Sequence, residues 1–399
     1  MTTLPRPLPR SLDPLPDESI IGYVLRLAHR LNLSPARLVE ITGLNARQRT
    51  ASIPGLSLAV HAAPDARAAF AHATRLSPGE TDALFLSAFA DRYPAAHPRG
   101  GPNRWGNPAT LFDRWLFTRS TRYCPQCLAA GPGRVGSELG GPWRRTWRLP
   151  VVFACTRHRR YLDHLCPACQ QPALQYSPPG QPRWRTTALH PTQCRIILRR
   201  DGAAQRTACA ARLAADIAPT IPVSAAMLKL QRRLLSALNY ERPSQIRELG
   251  QEVAVRHYFT DLQLLTYLIR VSWPHGRDLV PTADLAADLD AHLSDPTEHR
   301  HAMNGSRDQI ARETPPLEAS VCAALLATAD SLLGLGSPRE LSTELRRLFA
   351  HDDRRPGNAA WSWIFRTDRP DCSEGMRQAV TSALQTDVRE QHFGSAGGR

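Results

Sequence analysis

Between Cys124 and Cys209 the chain places seven of its nine cysteines within 86 residues. They fall as Cys124-Pro-Gln-Cys127, Cys155-Thr-Arg-His158 and Cys166-Pro-Ala-Cys169, followed by Cys194 and Cys209. A two-residue spacer puts two ligands on one tight turn, both within reach of a Zn²⁺ at ~2.3 Å. The simplest assignment takes neighbours in sequence. Cys124, Cys127, Cys155 and His158 form one set; Cys166, Cys169, Cys194 and Cys209 form the other. Each set fills a tetrahedral Zn²⁺ and leaves no position for a reactive water, which marks both ions as structural. Spacing determines the second set less well. Cys194 and Cys209 lie 15 residues apart, and His164 and His190 compete for the same role. The loops between ligands are polar and glycine-rich, so the roughly 10–16 kcal/mol of structural zinc binding is folding free energy for this segment. Two zinc ions per chain are expected.

Charge is distributed unevenly around this region. Residues 1–219 carry 29 Arg and no Lys against 13 carboxylates, a net +16, whereas residues 220–399 sum to −2. Genomic bias accounts for arginine over lysine, but not for the thinning of carboxylates in one half only. A one-sided basic surface is the footprint of a nucleic-acid partner. At 399 residues the chain is long for a single core, and 34 prolines imply short elements. No apolar leader opens the sequence and no run is long enough to span a bilayer, so a membrane role is not expected. An odd cysteine count with knuckle spacing favours metal in a reducing cytosol over disulfides.

The first 16 residues hold five prolines and should be extended. Asp17 is the expected cap of a helix carrying Ile20, Ile21, Val24, Leu25, Ala28 and Leu31 on one face. Ser34-Pro35 opens a second helix that Gly43 stops, a pair that suits a helix-turn-helix. Ser77-Pro-Gly-Glu80 is a capping box for a helix expected to run through Leu84, Phe85, Ala88 and Phe89. Tyr93–Ala109 reads as a connector. Beyond residue 220 the pattern predicts helices at 223–238, 255–271, 279–293 and 317–333. A further helix starts at the Ser337–Glu340 capping box, and the last covers 373–384. Trp361 and Trp363 read as core anchors, and Cys322 and Cys372 as buried thiols. The fold class is therefore mainly α, with four segments. A helix-turn-helix-like amino-terminal domain spans 12–118, and a tandem zinc-ribbon or zinc-finger region with short β-hairpins spans 119–216. An all-α domain spans 217–386, and 387–399 forms a flexible tail.

Arginine and tryptophan interleave around the ligands. Arg144, Arg145, Arg148, Arg157, Arg159, Arg160, Arg185, Arg195, Arg199 and Arg200 are candidate nucleic-acid contacts, because guanidinium groups bind phosphates and stack on bases. Trp143 and Trp147 are expected to pack against the knuckles. No phosphate-cradling loop with lysine and no spaced acidic trio occurs, so the chain is not read as an enzyme.

Leu12-Asp-Pro-Leu-Pro-Asp-Glu-Ser19, Leu25-Arg-Leu-Ala28, Arg122-Tyr-Cys-Pro-Gln-Cys-Leu128, Trp147-Arg-Leu-Pro150 and the two following knuckles together resemble the TniQ family. The likeness covers about residues 12–215, with Ala210 standing where many relatives have glycine after the last cysteine. It supports Cys194 and Cys209 as closing ligands of the second set. The resemblance implies a target-selection role in transposition. Its implied partners are target DNA or a CRISPR effector complex, an AAA+ ATPase that engages the transposase, and in some members a second copy of the chain. The implied setting is the bacterial cytoplasm. A protein-only adaptor on a CRISPR effector and a stand-alone zinc-containing regulator are the alternatives.

Overall fold

A computed structural model describes residues 4–44, 58–97, 99–102, 108–111, 115–118, 120–129, 138–174, 189–199, 206–214, 222–293, 314–349 and 372–394. The chain divides into two compact units. The first comprises residues 1–90, 95–228 and 317–319, and the second comprises 91–94, 229–316 and 320–399. The architecture is mainly α with short antiparallel strand pairs. Among the described residues, no helix is long and apolar enough to cross a membrane.

The first unit is built on α1 (Ile20–Arg30), whose residues from Ile20 to Ala28 are all buried. Its cap is Ser19, not the expected Asp17: the Ser19 hydroxyl accepts the Gly22 amide at 3.1 Å. Asp17 sits in the left-handed region (φ +59°) and its carboxylate turns to Arg145 and Thr146. A cap must lie next to the first helical turn, and Asp17 is two residues too early. Where α1 meets the cysteine segment, a side chain at Gly22 would lie 2.9 Å from the Trp143 Cβ, so only glycine fits this contact. The Ser19 amide donates to the Trp143 carbonyl at 2.8 Å. The amino-terminal helices and the cysteine segment therefore belong to one unit.

Helix α2 (Pro35–Ile41) has the expected Ser34 cap, with proline at its start and Gly43 at φ +72° beyond its end. Helix α3 (Pro64–Thr74) was not foreseen, since its alanine-rich sequence has a weak apolar stripe and no capping side chain. The Ser77–Glu80 capping box forms as expected, but α4 stops at Pro78–Asp82. The expected helix through Phe89 is broken because the Leu86 and Ser87 amides donate to Ala59 and Val60 carbonyls, at 3.1 and 2.9 Å. A short 3₁₀ turn at Leu86–Phe89 results. The connector pairs as β1 (Arg99–Pro102) with β2 (Pro108–Leu111). The cysteine segment holds α5 (Pro125–Ala129) and two hairpins: β3 (Ala154–Cys155) with β4 (Arg160–Tyr161), and β5 (Ile197–Arg199) with β6 (Arg206–Ala208).

The second unit contains α7 (Val255–Val271), α8 (Ala283–Leu293) and α10 (Pro338–Phe349), with most of α6 (Ala225–Leu238) and α9 (Ala319–Leu333). Helix α8 begins later than expected, because Leu279 closes a 3₁₀ turn and Pro281 follows it. One hairpin, β7 (Gln245–Glu248) with β8 (Gln251–Ala254), interrupts the helices that pattern alone suggested. Its turn, Leu249-Gly250, has φ +46° and +78°, the both-positive geometry of a two-residue hairpin. Any side chain at Gly250 would meet the Gly336 carbonyl oxygen at 2.3 Å. Arg92 belongs to this unit and closes α6: its guanidinium takes the carbonyls of Ala237 and Pro243 at 3.1 and 3.0 Å. Cys322 and Cys372 are buried, as expected of core thiols. The last helix, α11, runs Glu374–Gly394, so the tail expected from residue 387 begins inside it; after Gly375 no proline or glycine interrupts the run before Gly394. Trp361 and Trp363 lie outside the described residues.

Candidate metal centres

Cys124 precedes α5 and Cys127 lies within it, with Pro125 supplying the first helical position. Cys155 ends β3, and His158 sits in the turn that closes the β3–β4 hairpin. Folding of these two elements brings the His158 Nδ1 to 3.3 Å from both Cys124 and Cys127 Sγ, and to 3.4 Å from Cys155 Sγ. Cys127 and Cys155 sulfurs are 3.6 Å apart. A tetrahedral zinc with the usual bond lengths requires S···S edges of ~3.7 Å and S···N edges of ~3.5 Å. The cluster has that size, and a disulfide at about 2.05 Å does not fit it.

The second set gathers by a different device. Cys166 and Cys169 share one turn, while β5 and β6 carry Cys194 and Cys209 to the same place from either end of a hairpin. The Cys209 amide donates to the Ile196 carbonyl at 2.7 Å, and the Ala210 amide to the Cys194 carbonyl at 3.0 Å. A hairpin removes the apparent handicap of a 15-residue separation. Cys166–Cys209 and Cys169–Cys194 sulfurs are each 3.8 Å apart. In both sets all four ligand atoms lie within 4.8 Å of one another. The two competing histidines stand elsewhere. His190 bonds the Thr192 hydroxyl and the Glu138 carbonyl at 2.9 and 3.0 Å. His164 is pushed down to about 4 by burial and by nearby Arg122.

Crowded sulfurs compete for protons. Hydrogen bonds from Cys124 and Cys127 hold Cys155 far below the ordinary thiol range, and bonds with Cys127 and then Cys155 push Cys124 far above it. Burial raises Cys169 to about 11 and lifts Cys194 further. A divalent cation at the centre resolves this competition by holding all the sulfurs as thiolates. Three of the ligands are followed directly by a left-handed residue: His158 by Arg159 (φ +53°), Cys169 by Gln170 (φ +54°) and Cys209 by Ala210 (φ +56°).

The candidate nucleic-acid arginines separate by burial. Arg148 is buried and donates to the Phe117 and Ser120 carbonyls at 2.8 and 3.0 Å, with burial bringing it down to about 10. Arg160 is buried against Asp163 at 3.0 Å. Arg195 is buried, bonded to the Leu189 carbonyl at 3.0 Å, and likewise held at about 10 by burial. These three are corrected from nucleic-acid contacts to structural groups. Loop-rich knuckles leave many carbonyls outside any ladder, and a five-donor guanidinium can satisfy several at once. Arg145 is half-buried, pairs with Asp17 at 3.2 Å and lies over the Phe89 ring; Arg144 is half-buried beside it. Arg157 and Arg159 are exposed on the His158 turn. The side chain of Arg199 and all of Arg185 and Arg200 lie outside the described residues. Trp143 and Trp147 are buried, as expected.

Sequence reasoning missed Arg122, the most deeply placed of these arginines. Its Nη1 takes the Pro150 and Val152 carbonyls, each at 3.0 Å, and its Nε takes the Leu317 carbonyl at 2.8 Å. It stands two residues before Cys124, and the carbonyls it grips stand just before Cys155. Arg122 thus ties the two halves of the first cluster together. Its place immediately ahead of a Tyr-Cys-Pro knuckle was the available signal.

The class defined by this fold is a mainly helical protein whose loop-rich middle is gathered by two closed, four-donor Cys/His clusters. Residues 9–162 match the TniQ family model, so that segment of the chain is similar to the TniQ family. The match ends just past the last donor of the first cluster; the second cluster and all of the second unit but residues 91–94 lie beyond it. No curated protein matches the chain significantly.

Proposed function

We propose that this protein is a non-catalytic, zinc-stabilised adaptor for transposition target-site selection. It links target DNA, or a complex already seated on it, to a transposon AAA+ ATPase and its transposase in the cytoplasm. The observation that carries this reading is the TniQ match, which spans all four donors of the first cluster. Closed four-donor sets support a structural role, because a hydrolytic zinc needs a coordination position for water. Zinc holds Cys124, Cys127, Cys155 and His158 in one set, and Cys166, Cys169, Cys194 and Cys209 in the other. The basic first half meets nucleic acid, and the near-neutral second half suits protein partners.

The deciding experiment is affinity purification of the tagged chain from its native host, with and without nuclease. The adaptor reading expects a AAA+ ATPase and a transposase to co-purify, and target DNA to be lost on nuclease treatment. Recovery of transcription machinery in their place would overturn it.

A further inference from the structure

Of the candidate arginines around the cysteines whose side chains are described, only Arg157 and Arg159 face solvent; a second exposed group stands away from the clusters. The amino-terminal strap, residues 4–16, is rich in proline and buries Leu8 and Leu12. Pro5, Pro7 and Pro9 have no amide hydrogen to give. The Leu8 amide donates at 2.8 Å to the carbonyl of Ala73, in the last turn of α3. Carbonyls there have no partner within their helix, so this bond fixes the strap across the helix end. The Tyr23 hydroxyl fixes its far side on the Leu12 carbonyl at 2.8 Å.

This docking collects positive charge. Arg6 and Arg10 stand two residues either side of Leu8, and His72 and Arg75 flank Ala73; all four are exposed. Among the described residues none of the three arginines has a carboxylate partner. Arg37 pairs with Glu40, and Arg67 with Asp82. Glu80, the nearest acid after Arg75, is held by the Ser77 amide and hydroxyl at 2.8 and 2.7 Å. Asp13 lies three residues past Arg10, beyond buried Leu12. The end of α3 supplies roughly half a negative charge, which one arginine satisfies and three exceed. The patch adjoins α2 as well: a Cβ built on Gly43 would lie 2.9 Å from Ala69 of α3 and 3.8 Å from Pro5 of the strap. The outward face of α2 itself is neutralised by the Arg37–Glu40 pair at 2.8 Å.

We propose that Arg6, Arg10 and Arg75 form a phosphate-contact patch for duplex DNA at the junction of the strap and α3. The proposal rests on the DNA-facing part of the function given above and moves that contact away from the metal clusters. The patch positions the chain on a duplex and carries no sequence information, since contacts to phosphates do not read base edges.

The test measures binding of the zinc-loaded full chain to a short duplex across salt, by fluorescence anisotropy. Three phosphate contacts removed by R6Q/R10Q/R75Q should lower the slope of log K against log salt by about 2.7, at ~0.9 per contact. The R6K/R10K/R75K variant should keep the slope. Unchanged zinc content and circular dichroism show that both variants are folded. If the wild-type chain binds with a steep slope and the glutamine variant keeps it, the patch is wrong and the DNA reading stands. If the wild-type chain shows no salt-dependent binding, the DNA reading itself fails. Preference for an acidic protein over DNA would overturn both.

Discussion

The Glu18 carboxylate lies 2.6 Å from the Arg26 guanidinium, and both side chains are almost wholly removed from solvent. Burial raises Glu18 above the usual carboxylate range in spite of its partner. Desolvation therefore costs more than the pair recovers, which is the general rule for buried ion pairs. Removing one member is a different matter, because the other is stranded. Glu18→Ala should destabilise the first unit by about 3–5 kcal/mol. Replacing both, as Glu18→Leu with Arg26→Met, should cost far less. Urea denaturation of the three proteins checks this, and an equal loss in single and double variants would refute it.

Ala210 follows Cys209 with φ +56°, a conformation that glycine adopts without strain and alanine does not. The backbone has kept the turn that a glycine would make, so the departure from glycine is one of side chain and not of geometry. Ala210→Gly should stabilise the second cluster by about 1 kcal/mol, the left-handed penalty less glycine's extra unfolded entropy. Thermal denaturation of the zinc-loaded protein measures the shift; a lower midpoint would show that the alanine methyl is used in packing.

Native mass spectrometry should find two zinc ions per chain. Cys124→Ser should leave one ion, held by the second set, and Cys209→Ser should leave one, held by the first. Chelation should destabilise the cysteine segment, because zinc-binding free energy is folding free energy where the ligands come from separate turns. A single ion in the wild-type protein, or loss of both ions in either variant, would break the two-centre assignment.

The metal donors were legible because ligand spacing is a local constraint: two residues between thiols dictate one turn whatever surrounds it. The caps of α2 and α4 were legible for the same reason. What escaped was decided by distant partners. Nothing local says that Leu86 and Ser87 will bond Ala59 and Val60 and so end α4 early. Charge pattern likewise cannot tell Arg148, which finds carbonyls, from Arg157, which finds water. The hairpin at Leu249-Gly250 lacked a strong signal because leucine rarely takes the left-handed position. The structure accommodates it by burying the side chain and bonding its amide to Leu333 at 2.8 Å.

In the second unit two buried carboxylates share one serine. The Ser373 amide donates to Asp261 at 3.0 Å, and its hydroxyl to Glu248 at 2.8 Å. The same hydroxyl accepts the Met376 amide at 3.1 Å, so Ser373 caps α11 while the two acids hold it in place. Burial raises both carboxyls, Asp261 well above its ordinary value; Glu248 opposes ionisation of Asp261, while the hydrogen bond from Asp261 favours the ionised form of Glu248. His257 and Arg233 act on Glu248 in the opposite direction, more weakly than burial. A carboxyl raised in the native state contributes stability that is complete below its unfolded value and is lost as pH climbs through the native one. The attachment of α11 should therefore loosen as pH rises from the acid side through the raised native values of the two acids. Glu248→Gln keeps an acceptor for Ser373 and removes one ionisation, so it should flatten that dependence. Hydrogen exchange at residues 374–384, followed against pH in both proteins, reads the effect. Equal protection at every pH in the wild-type chain would mean that the two acids do not compete for a proton.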